Sequence, residues 1–282
     1  MGPTEPYPAR LAVPAAGTVG AVLAEIAVIP SAPLLVPELS GPAADDTVPV
    51  RDAVLAAGAS LAAAASRWIA IGVADRPDTS ARGRVNPRIP DCRQSGDFGA
   101  YGVPVPVSLP HPPLPDRIEP PAPLPLSMLL AGWLGAQVSP RPVRIDPVVL
   151  DPCCRPEVVR LAVRELSLAE RPVSDEPIGV LVIADGANAL SPRAPGGGER
   201  ASAWELQNRI DDAVVGADRE TLAALGEAEC AAEGVGTRAA WLALAQLLDG
   251  RPAWDVDARF RGAPFGVGYT VASFRPAGTG NA

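Results

Sequence analysis

Three short runs decide most of what this chain can become: residues 23–29 (LAEIAVI), 68–73 (WIAIGV) and 178–184 (IGVLVIA). Each is almost continuously apolar, without the in-and-out alternation of a strand that wets one face. Such runs bury both faces, so the sheet they build must be covered on each side. Between the first two, residues 52–67 are mostly Ala and Leu, a helix-forming composition opposed chiefly by Gly58. Strand, loop, helix, strand is one βαβ unit, whose right-handed crossover packs the helix back onto the sheet. The expected fold is therefore α/β: a doubly wound, mostly parallel sheet with helices on both faces.

The remaining elements follow the same logic. Apolar or amphipathic helices are expected at 124–137, 155–170, 202–215, 219–225 and 237–248, with Ser202 and Glu205 spaced as a capping box. Strands are expected at 143–150, broken by Pro147, at 253–260, and within 264–274 around a glycine turn. Residues 30–41 carry Pro30, Pro33 and Pro37 and are expected to be loop rather than helix. Residues 75–102 have neither period, as in a functional or mobile loop, and 103–109 contain Pro104 and Pro106, which suits a sheet edge. Ten prolines between 104 and 125 predict a stiff, extended linker. One domain spans 23–275, with 1–22 a flexible extension and 276–282 a loose tail.

Composition removes whole classes of function. Every one of the 24 Lys+Arg residues is arginine, the net charge is −8, and the only histidine is His111, inside the proline-rich stretch. An acidic chain is a poor partner for nucleic acid, whose binding rests on clustered cations. Without lysine there is no Schiff-base catalysis, and one histidine cannot supply a two-imidazole metal site. Cys92, Cys153, Cys154 and Cys230 fit neither a disulfide framework nor a CxxC zinc pair, so free thiols in a reducing cytoplasm are expected. No stretch reads as a membrane span. Trp241 and Trp254 are candidates for anchoring an interface.

Four segments in order resemble the class III extradiol ring-cleavage dioxygenases, in the form of their catalytic chain. They are Pro30-Ser-Ala-Pro-Leu-Leu-Val-Pro-Glu38, Gly96-Asp-Phe-Gly-Ala-Tyr-Gly-Val-Pro104, the stretch from Asp185 to Pro195, and Ala263-Pro-Phe-Gly-Val-Gly-Tyr269. The resemblance covers about residues 24–275 and implies, in active members, a non-haem Fe(II) held by two His and one Glu, with a further His as acid/base. It also implies a small aromatic ligand, and a homodimer or a small partner subunit.

Carried over position by position, the iron set does not transfer. Ser31 stands where the first imidazole is expected, Ala74 or Asp75 at the second, Asn188 at the acid/base, and Arg261 or Gly262 at the glutamate. The cleft candidates are thus Ser31, Asp75, Asp185, Asn188 and Tyr269, with no catalytic residue assigned and no cofactor expected. The resulting expectation is a pseudoenzyme or small-molecule-binding protein that keeps the family's fold without its Fe(II). The alternative is a metal-dependent oxidoreductase that cleaves a catechol-type ring with Asp75, Asp185 and His111 as ligands. Asp75, Asp185, Asn188 and Ser31 around one cleft would suit a hard cation such as Mg²⁺ or Ca²⁺. In the plainest reading, Asp185 caps its turn and Ser31 fixes the proline loop by local bonds.

Overall fold

The computed structural model describes residues 23–41, 44–76, 95–109, 123–138, 143–169, 176–249 and 253–278. His111, Cys92, the extension 1–22, most of the proline-rich stretch and residues 279–282 of the expected tail lie outside the described residues. In chain order the elements are β1 (Leu23–Ile29), α1 (Pro37–Ser40), α2 (Ala44–Ala64), β2 (Arg67–Val73), β3 (Ser95–Asp97), β4 (Pro106–Ser108) and α3 (Leu126–Val138). There follow β5 (Arg144–Leu150), α4 (Pro156–Ala169), β6 (Ile178–Ile183), α5 (Ala201–Val215), α6 (Arg219–Ala223), α7 (Glu227–Ala232), α8 (Arg238–Leu248), β7 (Trp254–Gly262) and β8 (Tyr269–Pro276).

The result is a mixed α/β fold. Six strands form one sheet in the order β5-β2-β6-β1-β8-β7, and β3 pairs with β4 in a separate hairpin. The first four strands of that order run parallel, while β8 is antiparallel to both β1 and β7. Alternate residues of the three apolar runs fall into two buried clusters. Ile26, Val28, Ile71 and Val182 pack with Val159 of α4, Leu206 of α5 and Trp241 of α8. Ala27, Ile29, Trp68 and Ile183 pack with Val54 and Leu61 of α2 and with Met128 and Leu134 of α3. Both sides of these strands are therefore out of water, which is why their sequence shows no polar alternation.

Several expectations are corrected, mostly at proline. Residues 33–35 form a 3₁₀ turn and 37–40 the short helix α1, with Pro33 and Pro37 at the first helical positions. There a missing N–H removes no bond and the fixed φ already suits the helix. Helix α2 begins well before residue 52 and contains Pro49, because Val50, Val54, Ala57 and Leu61 continue one buried stripe. Arg51 fastens this extension by donating to the Leu35 carbonyl at 2.8 Å and to the hydroxyls of Ser40 and Thr47, both at 2.6 Å. Strand β5 is not broken at Pro147, since it is the outer strand of the sheet and a proline there can turn its nitrogen away from its neighbour. Of the expected loop 75–102, residues 77–94 lie outside the described residues, and Ser95–Asp97 pairs with Pro106–Ser108 as the β3–β4 hairpin beside a buried Phe98. Ser202 makes no capping box: its hydroxyl donates to Glu233 at 2.8 Å, and the helix N-cap is Arg200 without a side-chain cap. Helix α7 adds to the expected elements, and β8 runs on through Pro276.

Close packing at one glycine supplies a test. A Cβ on Gly72 would lie 2.3 Å from the Cβ of Ser127 in α3, so that helix would have to move. Gly72→Ala should lower the urea midpoint by an amount equivalent to about 1–3 kcal/mol. Gly236→Ala, where nothing lies within 4 Å of a new Cβ, should leave it nearly unchanged.

Candidate functional site

The strand registers bring three of the expected residues into one row. In the ladders Ile29 faces Ile183, Ile71 faces Val182, and Val28 faces Ala272. Projected beyond their last paired residues, these registers put Ala74 level with Asp185, Asp185 level with Ser31, and Ser31 level with Tyr269. The β1–β6 ladder does run on past β6, with the Ala184 N–H donating to the Ile29 carbonyl at 2.9 Å. At the next step the Asp185 side chain takes over: its Oδ1 accepts the Ser31 N–H at 2.7 Å. This long-range bond, not a local cap, is what the Asp185 carboxylate makes, and Ser31 contributes its backbone rather than its hydroxyl.

The backbone of Asp185 is fixed from the other side by α8. Its N–H donates to the Thr237 hydroxyl and its carbonyl accepts from the same hydroxyl, both at 2.8 Å, while the Trp241 indole N–H reaches that carbonyl at 2.9 Å. Trp241 is wholly buried, so it anchors this strand end and not an interface. Burial pushes the Asp185 carboxyl up to about 7, with the Ser31 N–H pulling weakly the other way. Tyr269, 5% exposed, has its phenol pushed up by burial and then by the charge on Asp185. It therefore keeps its proton throughout the ordinary pH range.

Asn188 and Asp75 are not brought to this row by hydrogen bonding. Asn188 donates its N–H to the Glu233 carbonyl at 3.0 Å, and its own carbonyl accepts the Gly196 N–H at 2.8 Å. Its side chain is wedged between two glycines: a Cβ on Gly196 or Gly234 would lie 2.2 or 2.0 Å from its Oδ1. That oxygen is buried without a partner among the described residues. Around the wedge, Glu233 accepts from Arg200 Nε at 2.9 Å, and Arg200 Nη1 donates to the Gly196 carbonyl at 2.8 Å. Asp75 accepts the Leu126 N–H at 3.1 Å in an exposed bond, which holds the start of α3.

The glycine turn after β7 closes on the loop after β6. Gly186 N–H donates to Gly268 and Gly268 N–H to Ala187, both at 2.8 Å, and Leu190 N–H donates to Gly266 at 3.0 Å. Beneath them the buried Gln207 accepts the Ala187 N–H at 2.9 Å and donates to Asp211 at 2.8 Å; Asp211 also accepts from the Thr270 hydroxyl. A Cβ on Gly186 or Gly268 would lie 1.8 or 1.9 Å from Gln207 Oε1, so a side chain at either position would displace that amide from its hydrogen bonds. Further out, Ser191, Pro192, Arg193, Pro264 and Phe265 line an open depression of 440 Å³.

These donors do not fit an iron triad. Across the row stand one carboxylate with an oxygen already taken, one hydroxyl and one phenol, none of them an imidazole. Arg261, one of the two residues where the resemblance expects a glutamate, pairs with Asp212 at 2.8 Å. Among the described residues no three His, Cys, Asp or Glu side chains come together as a metal site, and no helix is long and apolar enough to cross a membrane.

The part-buried Asp185 carboxyl gives a pH test. Asp185 binds its proton more tightly folded, near 7, than at its ordinary value of 3.8, so between those values the native state holds more protons than the unfolded chain. Native stability should therefore fall as pH rises through that window and level off above it, by at most about 4 kcal/mol. Asp185→Asn retains an oxygen for the Ser31 N–H and should remove this slope in urea unfolding measured from pH 4 to 8. Parallel curves for the two proteins would contradict the assignment. In comparisons with known sequences, the chain matches no protein-family model and no curated protein.

Proposed function

We propose that this chain is a class III extradiol dioxygenase-like protein, related to the catalytic chain of those enzymes, that has lost its Fe(II) centre and serves as a small-molecule-binding protein. In this reading the fold is doubly wound, with α2 and α3 covering one face of the sheet and α4, α5 and α8 the other. The ligand enters at the carboxyl ends of β1, β2 and β6, the edge at which open α/β sheets bind ligands. Cys153, Cys154 and Cys230 are free thiols, which suits a cytoplasmic protein. The proposed ligand is small and aromatic, and the assembly a homodimer or a pair with a small partner chain.

One observation carries the reading. At the positions where the family resemblance expects imidazoles, Asp75 is committed to α3 and Asn188 to its glycine wedge, while Ser31 offers only a hydroxyl beside Asp185. The alternative, a ring-cleaving oxidoreductase ligated by Asp75, Asp185 and His111, loses support because among the described residues neither carboxylate belongs to a group of three His, Cys, Asp or Glu side chains.

Protein purified without chelators should carry far less than one iron per chain by elemental analysis. After anaerobic loading with Fe(II) it should show no oxygen uptake with a panel of catechols. Stoichiometric Fe(II), with its affinity lost in Asp185→Ala, would overturn the proposal.

A further inference from the structure

We propose that the row Asp185, Ser31 and Tyr269 binds the ammonium group of a small primary amine. This rests on the reading of that strand edge as a binding cleft without iron. Its support is the set of hydrogen bonds the row makes and leaves open. Asp185 uses Oδ1 for the Ser31 N–H, but its second carboxylate oxygen, the Ser31 hydroxyl and the Tyr269 hydroxyl take no hydrogen bond within the described residues. Tyr269 is 5% exposed as a whole, but its hydroxyl is not among the buried atoms left without a partner, so that oxygen keeps contact with solvent. Ser31 and Asp185 are only part-buried, so the row is reachable from outside.

The chemistry of the three atoms selects the ligand. An ammonium group carries three N–H donors, no acceptor and one positive charge. The row supplies three oxygens that can accept, one of them on a carboxylate, on neighbouring segments: Ser31 is bonded through its N–H to Asp185, and Tyr269 lies close enough to feel the Asp185 charge. Among the described ion pairs none involves Asp185, so its charge has no cation of its own. A bound ammonium supplies it and stabilises the ionised carboxylate. A ligand carboxylate or phosphate would meet the same charge without an arginine to offset it. A neutral alcohol gains hydrogen bonds but no charge pairing.

The test is a titration of the full chain at pH 8, followed by NMR or calorimetry, with benzylamine, benzyl alcohol and benzoate as probes sharing one ring. Benzylamine should saturate at one per chain and bind at least tenfold more tightly than benzyl alcohol, with benzoate not saturating. Asp185→Asn should weaken benzylamine tenfold or more and erase its advantage over the alcohol. Ser31→Ala and Tyr269→Phe, which leave the Ser31 N–H bond in place, should each weaken it severalfold. If Asp185→Asn fails to fold, these two variants decide. Benzylamine no tighter than benzyl alcohol, or insensitive to these substitutions, would overturn the inference. Iron content of the same preparation separates the two claims: stoichiometric iron sinks the iron-free reading, whereas iron-free protein that does not discriminate among the probes sinks only this one.

Discussion

The bond from the Ser31 N–H to the Asp185 carboxylate is where the sheet stops being a scaffold and, in the proposed reading, becomes a site. Up to Ala184 the β1–β6 ladder is backbone to backbone. One step later a side chain supplies the acceptor, and a titratable group is thereby fixed between two strand ends. Its position depends on α8, because Thr237 and Trp241 hold the Asp185 backbone from the opposite side. A carboxyl pinned in this way loses water on the side of the protein and keeps a free oxygen on the other. This accounts for both its raised proton affinity and its capacity to meet a ligand.

The loops around it are shaped by glycines that admit other side chains. Gly186 and Gly268 leave room for the Gln207 amide, and Gly196 and Gly234 for that of Asn188. In each case a polar side chain occupies the space a Cβ would take. The Gln207–Asp211–Thr270 chain then fastens α5 to β8, the strand that begins at Tyr269. Asn188 shows the same arrangement from the other direction. The position at which the resemblance expects an acid/base imidazole is filled by an amide locked into loop packing.

Much of this is legible in the sequence, and the limits have physical causes. The buried strands are visible because continuous Ile, Val and Leu runs have few other uses in a chain of this kind. Ser31, Asp185 and Tyr269 stand out from segments that flank strand ends. Their arrangement in a row does not, because it requires the pairings β2-β6-β1-β8, which are far from sequential. Pro33, Pro37 and Pro147 mislead for a common reason: proline is compatible with helix starts and outer strands, and only tertiary position tells which applies. Thr237, Trp241 and Gln207 leave little signal, since each acts on backbone groups distant in the chain. The resemblance puts Asp75 in the cleft, whereas the start of α3 holds its carboxylate.

Everything proposed for the strand edge requires a single pinned carboxylate beside neutral hydroxyls. The most direct measurement is a ¹³C NMR titration of the Asp185 side-chain carboxyl in the folded, iron-free protein. The expected midpoint is near 7, with Tyr269 remaining protonated across the same range. A midpoint near the ordinary 3.8 would contradict it, because Asp185 would then be either hydrated or already paired with a cation.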